Sequence, residues 1–417
     1  MGKNPSTNKS KIINDPVYGF IKIPYDIIFD LIEDPLFQRL RRIRQLGLTN
    51  FVYPGANHSR FQHAIGSMHL MGQAIEVIRS KGHEITDEEA RSVTIAILLH
   101  DIGHGPFSHS LEHSLIHGTP HETISLMYME QLNETHKGEL TLAIDIFRNR
   151  YPKRFLHQLV SSQLDMDRLD YLKRDSFFTG VTEGVIGSDR IIKMLNVKDD
   201  QLVVDEKGIY SIEKFLIARR LMYWQVYLHR TVVSSEQSLV MMLQRAQDLT
   251  SSGVDLFATP ALQFFLEPAK EKFDRRNRAH FLERFAALDD NDILTSAKVW
   301  CNNSDRILSL LSDGLVNRSL LKVELNDGSF KQERVNVLRK KVAEHLKISE
   351  KEAAYLVVSD SVSNYAYSDM DDRITIMDKR GNTRDIAEAS DILNISVLSL
   401  TVRKHFLCYP RFINELD

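Results

Sequence analysis

The stretch LLHDIGHGPFSH, Leu98–His109, ends an apolar run on His100-Asp101 and then sets His104 and His109 around Gly105-Pro106. The run itself, VTIAILL at Val93–Leu99, has the character of a buried helix, and Gly103 falls where a helix cap belongs. Consecutive helical side chains diverge by about 100°, yet at a helix end both can reach one ion beside the axis. An imidazole plus a carboxylate makes half of a mixed nitrogen–oxygen metal site. In a chain with 16 histidines a His-Asp pair alone carries little weight, so its surroundings decide. Gly105-Pro106 sets a turn able to hold His104 and His109 near one cavity, where an imidazole is a natural proton donor to a leaving oxygen. The plainer alternative is that both cap helix ends or bond backbone carbonyls.

Two other stretches supply matching chemistry. NHSRFQH, Asn57–His63, opens a helix with Arg60 and His63 three apart on one face. DMDRLDYLKRD, Asp165–Asp175, strings Asp167, Tyr171 and Asp175 along a single helical stripe. Carboxylates beside Arg168, Lys173 and Arg174 usually form a solvated, ion-paired face, but Leu164, Met166, Leu169 and Leu172 require a buried side as well. In TPHE, Thr119 reads as an N-cap, Pro120 as the first helical residue and Glu122 as the closing partner of a capping box. The same helix start would aim its N–H groups at an anion. His113 and His117 read as surface or packing residues.

Composition narrows the classes. The 417 residues are 43% hydrophobic and 26% charged, enough for a large core and two to three domains. A net charge of -3 gives no global attraction to nucleic acid or anionic membrane. Cys301 and Cys408 cannot build a disulfide framework and no CxxC occurs, which fits a reducing, cytoplasmic setting. Val93–Leu99 is far short of the roughly 20 apolar residues of a membrane span, and MGKNPSTNKSK lacks the apolar core of a secretory signal.

The texture changes twice along the chain. IINDPVYGFIKIP suggests a small strand pair, and from Tyr25 to about Leu249 apolar residues recur three and four apart, the helical period. Helical patterning continues to about Leu311; after Gly314, RSLLKVEL, AAYLVVSD and RITIMD read as strands with the helix ERVNVLRKKVAEHL between them. The expected organisation is therefore mainly α: a disordered tail over 1–11, a helical core over 12–235, a helical extension over 236–314 and an α+β lobe over 315–417.

His63, His100-Asp101 and Asp167, in that order, resemble the H…HD…D ligand set of the HD-domain phosphohydrolases. NDPVYGFIKI, PLFQRLRRIRQLG, FVYPGANHSRFQHAIG, LLHDIGHGPFSHSLEH, HE and DMDRLDYLKRD resemble, in order, the blocks of the deoxynucleoside triphosphate triphosphohydrolases, across about residues 12–235. A fainter likeness runs on through LDDNDI, RSLLKV and HFLCYPR. No SAM-like segment accompanies them, so the likeness is to the stand-alone, bacterial form. The resemblance implies an HD-domain helical body that holds a divalent metal (iron, manganese, zinc or magnesium) on His63, His100, Asp101 and Asp167. It implies Arg60 facing a phosphate, and His109 as general acid with His104 and Glu122 in support. Arg168, Tyr171 and Asp175 would contact phosphates and sugar, Gln45 the 3′-hydroxyl, Arg219 the phosphates, and Tyr227 the base. Tyr171 would also wall off a 2′-hydroxyl. A homo-oligomer, dimer or tetramer, and a deoxynucleotide activator are further implications.

Two rivals stand beside this reading. A phosphatase, phosphodiesterase or alarmone hydrolase would keep the same ligand set. A nucleotide- or nucleic-acid-binding regulator with incidental hydrolysis would use the basic patches QRLRRIRQ and DRRNRAHFLERF, although both also fit solvated helix faces.

Overall fold

The chain enters through a hairpin, β1 (Ile12–Asp15) and β2 (Gly19–Lys22), paired from Ile12↔Lys22 to Asp15↔Gly19. The Asp15 carboxylate accepts the N–H groups of Val17 and Tyr18 at 2.9 and 3.1 Å, and Gly19 supplies the φ of +73° that closes the turn. The computed structural model describes residues 11–107, 119–267, 278–364, 367, 373–390 and 402–415. The expected tail, apart from Lys11, lies outside them.

Beyond the hairpin, helices dominate. α1 (Arg60–Ser80) starts at a capping box in which Gln62 accepts the Ser59 N–H at 2.8 Å. It is buried on most of its circumference, which is why its apolar pattern is only weakly one-sided. α2 (Asp87–Leu99) starts at a second capping box, Thr86 with Glu89, and puts Asp87, Glu88 and Glu89 in its first turn. Val93, Ile95, Ala96, Ile97, Leu98 and Leu99 are all fully buried. Each larger one gains roughly 1.5–3 kcal/mol from burial, so packing fixes the end of α2 that presents His100 and Asp101.

α3 (His121–Thr135) is tied to the turn after that end through Ser125, and α4 (Met166–Thr179) packs against α1. Asp165 caps α4 by accepting the Arg168 N–H at 2.7 Å, and Gly180 at φ +74° ends it. Farther on, α5 (Ile209–Met222) runs into a π-helical turn, Tyr223–Tyr227, before α6 (Arg230–Ser251). The sequence pattern over Ile212–Ala246 is that of one unbroken helix. The break lies where the Leu228 N–H donates to Tyr223 O at 2.8 Å and the Tyr53 hydroxyl donates to Gln225 O at 2.7 Å.

A second departure lies in the same helical body. β3 (Leu195–Lys198) and β4 (Gln201–Asp205) form a tight hairpin whose two loop residues, Asp199 and Asp200, have φ of +50° and +56°. That is the geometry of a type I′ turn, which an Asp-Asp pair tolerates but does not announce. In the C-terminal stretch, β5 (Lys322–Asn326), α7 (Gln332–Leu346), β6 (Val358–Asn364) and β7 (Thr375–Met377) overlap the segments read as strand, helix, strand and strand. β7 adds parallel to β4 and pairs with β8 (Thr383–Asp385), while β9 (Val402–Tyr409) lies between β5 and β6. Among the described residues the main hydrophobic core runs from Ile21 to Ile413, and a small second cluster gathers Val233, Leu321, Phe406 and Cys408. Among the described residues no helix is long and apolar enough to cross a membrane.

Candidate metal centre and active site

The N-terminal turn of α1, the C-terminal end of α2 and the first turn of α4 meet. They bring His63, His100, Asp101 and Asp167 together. His63 Nε2 lies 3.0 Å from Asp167 Oδ1 and 3.8 Å from Asp101 Oδ2; His100 Nε2 lies 3.3 Å from Asp101 Oδ1 and 3.5 Å from Asp167 Oδ1. His63, His100 and Asp101 each offer an atom within 4.8 Å of the others, close enough to share one ion.

The tautomers are set from behind. His63 Nδ1 is 2.7 Å from Asp170 Oδ2, and His100 Nδ1 is 2.6 Å from Ile97 O, so both rings direct Nε2 inward. Both Nε2 atoms are buried and lack an aligned hydrogen-bond partner among the described residues. Two inward imidazole nitrogens and two carboxylates fit a divalent cation, and the soft thiolate ligands that select other metals are absent from the cluster.

The electrostatics describe the same demand. Burial opposes charge on His63, yet the Asp167 and Asp170 carboxylates beside its two ring nitrogens push its pKa up to about 10. Burial likewise opposes ionised Asp167 and Asp101, but the imidazoles, with Arg60 beside Asp101, hold both carboxyls below the usual carboxylate range. Two carboxylates thus draw protons onto the imidazoles that face them, a positive charge that a bound cation would supply instead. Arg60 Nη1 lies 2.5 Å from Asp101 Oδ2, placing a guanidinium at the edge of the cluster.

His104 approaches from the turn after α2, its Nε2 3.3 Å from Asp101 Oδ1. Burial and the Arg60 charge hold its pKa well below normal, favouring the neutral ring. It stacks on His121 at a centroid distance of 3.8 Å. Asp101, His104 and His121 form a second group whose ligand atoms lie within 4.8 Å of one another. Gly103 permits this. α2 ends at Leu99 with His100 as C-cap, so Gly103 is not the cap; instead a β-carbon on it would lie 2.2 Å from Ser125 N and 2.3 Å from His121 O. Ser125 Oγ donates to His100 O at 2.7 Å and accepts the Gly103 N–H at 2.9 Å, tying α3 to the turn.

The expected cap on α3 is different too. Pro120, not Thr119, is the N-cap, no side chain caps the helix, and Glu122 is 63% exposed with an oxygen 3.4 Å from His121 Nε2. A proline N-cap has no side-chain oxygen to accept an N–H, so no capping box forms.

The remaining candidates fall on one flank. Arg168 pairs with the buried Asp165. Desolvation raises the pKa of the half-buried Tyr171 hydroxyl, and the charges of Arg219 and Arg168 act against that rise. The Tyr171 and Tyr227 rings lie 6.3 Å apart. Asp175 is turned into the protein, one oxygen 2.8 Å from His58 Nε2 and the other accepting the Tyr227 hydroxyl at 2.7 Å. Gln45 Oε1 is buried without a hydrogen-bond partner among the described residues. His109, His113 and His117 lie outside the described residues.

Sequence reading passed over Asp170, His121, His58 and Asp15. The spacing D-x-x-D in Asp167–Asp170 and the histidine of TPHE were the available signals; His58 and Asp15 had none, since their partners are distant in the chain.

Residues 60–175 match the family described as HD domain, and residues 186–255 match the HD associated region. A phosphohydrolase of known structure from Bacteroides thetaiotaomicron has a TM-score of 0.92 at 55% identity, covering 96% of this chain and 100% of that one. The uncharacterized protein YwfO of Bacillus subtilis is 30% identical over 98% of this chain and 94% of its own length. A Dictyostelium discoideum protein named deoxynucleoside triphosphate triphosphohydrolase SAMHD1 homolog is 35% identical over 55% of this chain; the chain spans 48% of that protein's length.

Proposed function

Because the chain belongs to the HD-domain phosphohydrolases, which are metal-dependent enzymes, we propose that it cleaves deoxynucleoside triphosphates to deoxynucleoside and inorganic triphosphate. The observation that carries the reading is the pair of buried, inward Nε2 atoms of His63 and His100 beside Asp101 and Asp167, with Arg60 at their edge. The similarity to the Dictyostelium triphosphohydrolase supports the choice of substrate.

In this reading His63, His100, Asp101 and Asp167 hold a divalent metal (iron, manganese, zinc or magnesium). Such an ion, when bound, supplies Lewis-acid activation of a water at neutral pH. Arg60, Arg168 and Arg219 bind the triphosphate and offset its charge. Attack at the α-phosphorus breaks its bond to the nucleoside 5′-oxygen, and His109 gives that oxygen a proton, with His104 and Glu122 supporting. Gln45 accepts from the 3′-hydroxyl, Tyr171 fills the space a 2′-hydroxyl would need, and Tyr227 stands beside the base. Asp175 acts by holding the Tyr227 hydroxyl. The protein works in the cytoplasm as a homo-oligomer, and a deoxynucleotide activates it.

The test is incubation of the full chain with each dNTP and NTP under manganese, magnesium or iron, with separation of the products. Deoxynucleoside and intact triphosphate are expected from dNTPs, singly or as a mixture if an activator is needed. Pyrophosphate, single phosphates or no turnover in any mixture would favour the rival phosphohydrolase or regulator.

A further inference from the structure

Behind His63 lies a chain of buried charges that ends in the N-terminal hairpin. Asp170 Oδ2 is 2.7 Å from His63 Nδ1 and 2.9 Å from Arg174 Nε, and Asp170 Oδ1 accepts from Arg174 Nη2 at 3.0 Å. The far side of the same guanidinium meets Asp15: Nη1 is 2.8 Å from Oδ2 and Nη2 is 3.4 Å from Oδ1. His63, Asp170 and Arg174 have no exposed surface, and Asp15 has 3%. Asp15 is itself fixed, because its Oδ1 accepts the Val17 and Tyr18 N–H groups that form the hairpin turn.

This arrangement does more than satisfy polar atoms. A guanidinium flanked by a single carboxylate would draw most of that carboxylate's charge to itself. Flanked by two, Arg174 is neutralised from the hairpin side, and Asp170 keeps charge for the His63 N–H. A stronger acceptor on Nδ1 makes Nε2 a better donor to a cation and holds the ring plane in place. Arginine suits the position, since its planar fork engages both carboxylates at once.

We propose that Asp15, the last residue of β1 before the hairpin turn, is a positioning residue for the metal centre, acting on His63 through Arg174 and Asp170. Seating of the hairpin and grip on the metal are thereby one property, although the two lie far apart in sequence. The inference rests on the metal-centre reading given under Proposed function.

The experiment titrates chelator-stripped full-length protein with Mn2+ by calorimetry, comparing wild type, Asp15→Asn, Arg174→Lys and the ligand variant His100→Ala, with thermal unfolding in chelator run alongside. Asp15→Asn is expected to weaken Mn2+ binding about tenfold, the lower end of the range for outer partners of a ligand. Arg174→Lys keeps the charge, loses the fork and is expected to weaken binding similarly. Folded Asp15→Asn that binds Mn2+ as tightly as wild type would overturn the proposal, leaving Asp15 a purely structural residue. Should Asp15→Asn not fold, Arg174→Lys decides by the same two outcomes. A wild type that binds no Mn2+, or binds it no better than His100→Ala, would instead overturn the metal-centre reading and this proposal with it.

Discussion

Gly66 stands directly against Asp170: a β-carbon on Gly66 would lie 2.0 Å from Asp170 Oδ1 and 2.2 Å from Arg174 Nη2. The close approach of α1 to α4 that lets Asp170 reach His63 therefore depends on the absence of a side chain at position 66.

Gly66→Ala tests that dependence. The methyl group cannot be absorbed by a flexible side-chain end, since Asp170 and Arg174 are both locked in ion pairs. The variant is expected to lose roughly 1–3 kcal/mol of stability, the usual cost of overpacking. It should also bind Mn2+ more weakly than Gly72→Ala, a control in the same helix whose added carbon would have no described residue within 4 Å. Urea unfolding and Mn2+ titration of the two variants check this.

The ligand assignment separates two classes of variant. His100→Ala and Asp167→Ala should purify without stoichiometric metal and show no turnover. His109→Ala should retain metal and slow the reaction by about 10²–10⁴-fold, the range of a lost general acid. Metal content by mass spectrometry, beside single-turnover rates, distinguishes them; full activity in His109→Ala would remove that residue from its role.

Sugar discrimination should lie with Tyr171. Its half-buried ring lies 6.3 Å from that of Tyr227, which the Asp175 carboxylate holds, so it has little freedom to yield to an extra hydroxyl. Tyr171→Ala is expected to lower the preference for dNTP over NTP by about tenfold or more, read as the ratio of kcat/KM values. An unchanged ratio would place the discrimination elsewhere.

Glu236, on α6, provides a pH signature. Burial raises its pKa from 4.5 to about 7. Between those values the folded protein retains a proton that the unfolded chain has lost, so stability falls as pH rises from about 4.5 to 7 and the penalty is complete above 7. Glu236→Gln removes the titration, so its stability relative to wild type should climb across that interval. Parallel stability–pH curves from urea unfolding would contradict it.

How much the sequence disclosed depends on where the information sits. His100-Asp101 occupies one helix end, and His63 and Asp167 open two other helices, so short motifs carry their spacing. Asp170 and Arg174 belong to a run of alternating charges that ordinarily faces water; here Arg174 has no exposed surface because Asp15, 159 residues away, meets it. No local pattern encodes such a pairing. The β3–β4 hairpin went unread because Asp199 and Asp200 adopt positive φ without a glycine to mark the turn. Gly103 looked like a helix stop, although its use is to admit α3, and with α3 comes His121.

The most direct measurement of the central claim is hydrolysis of a dNTP in water enriched in oxygen-18, with both products examined by mass spectrometry. Attack at the α-phosphorus predicts one labelled oxygen in intact inorganic triphosphate and none in the deoxynucleoside. Label in the deoxynucleoside 5′-hydroxyl, or release of pyrophosphate or single phosphates in place of triphosphate, would contradict the account.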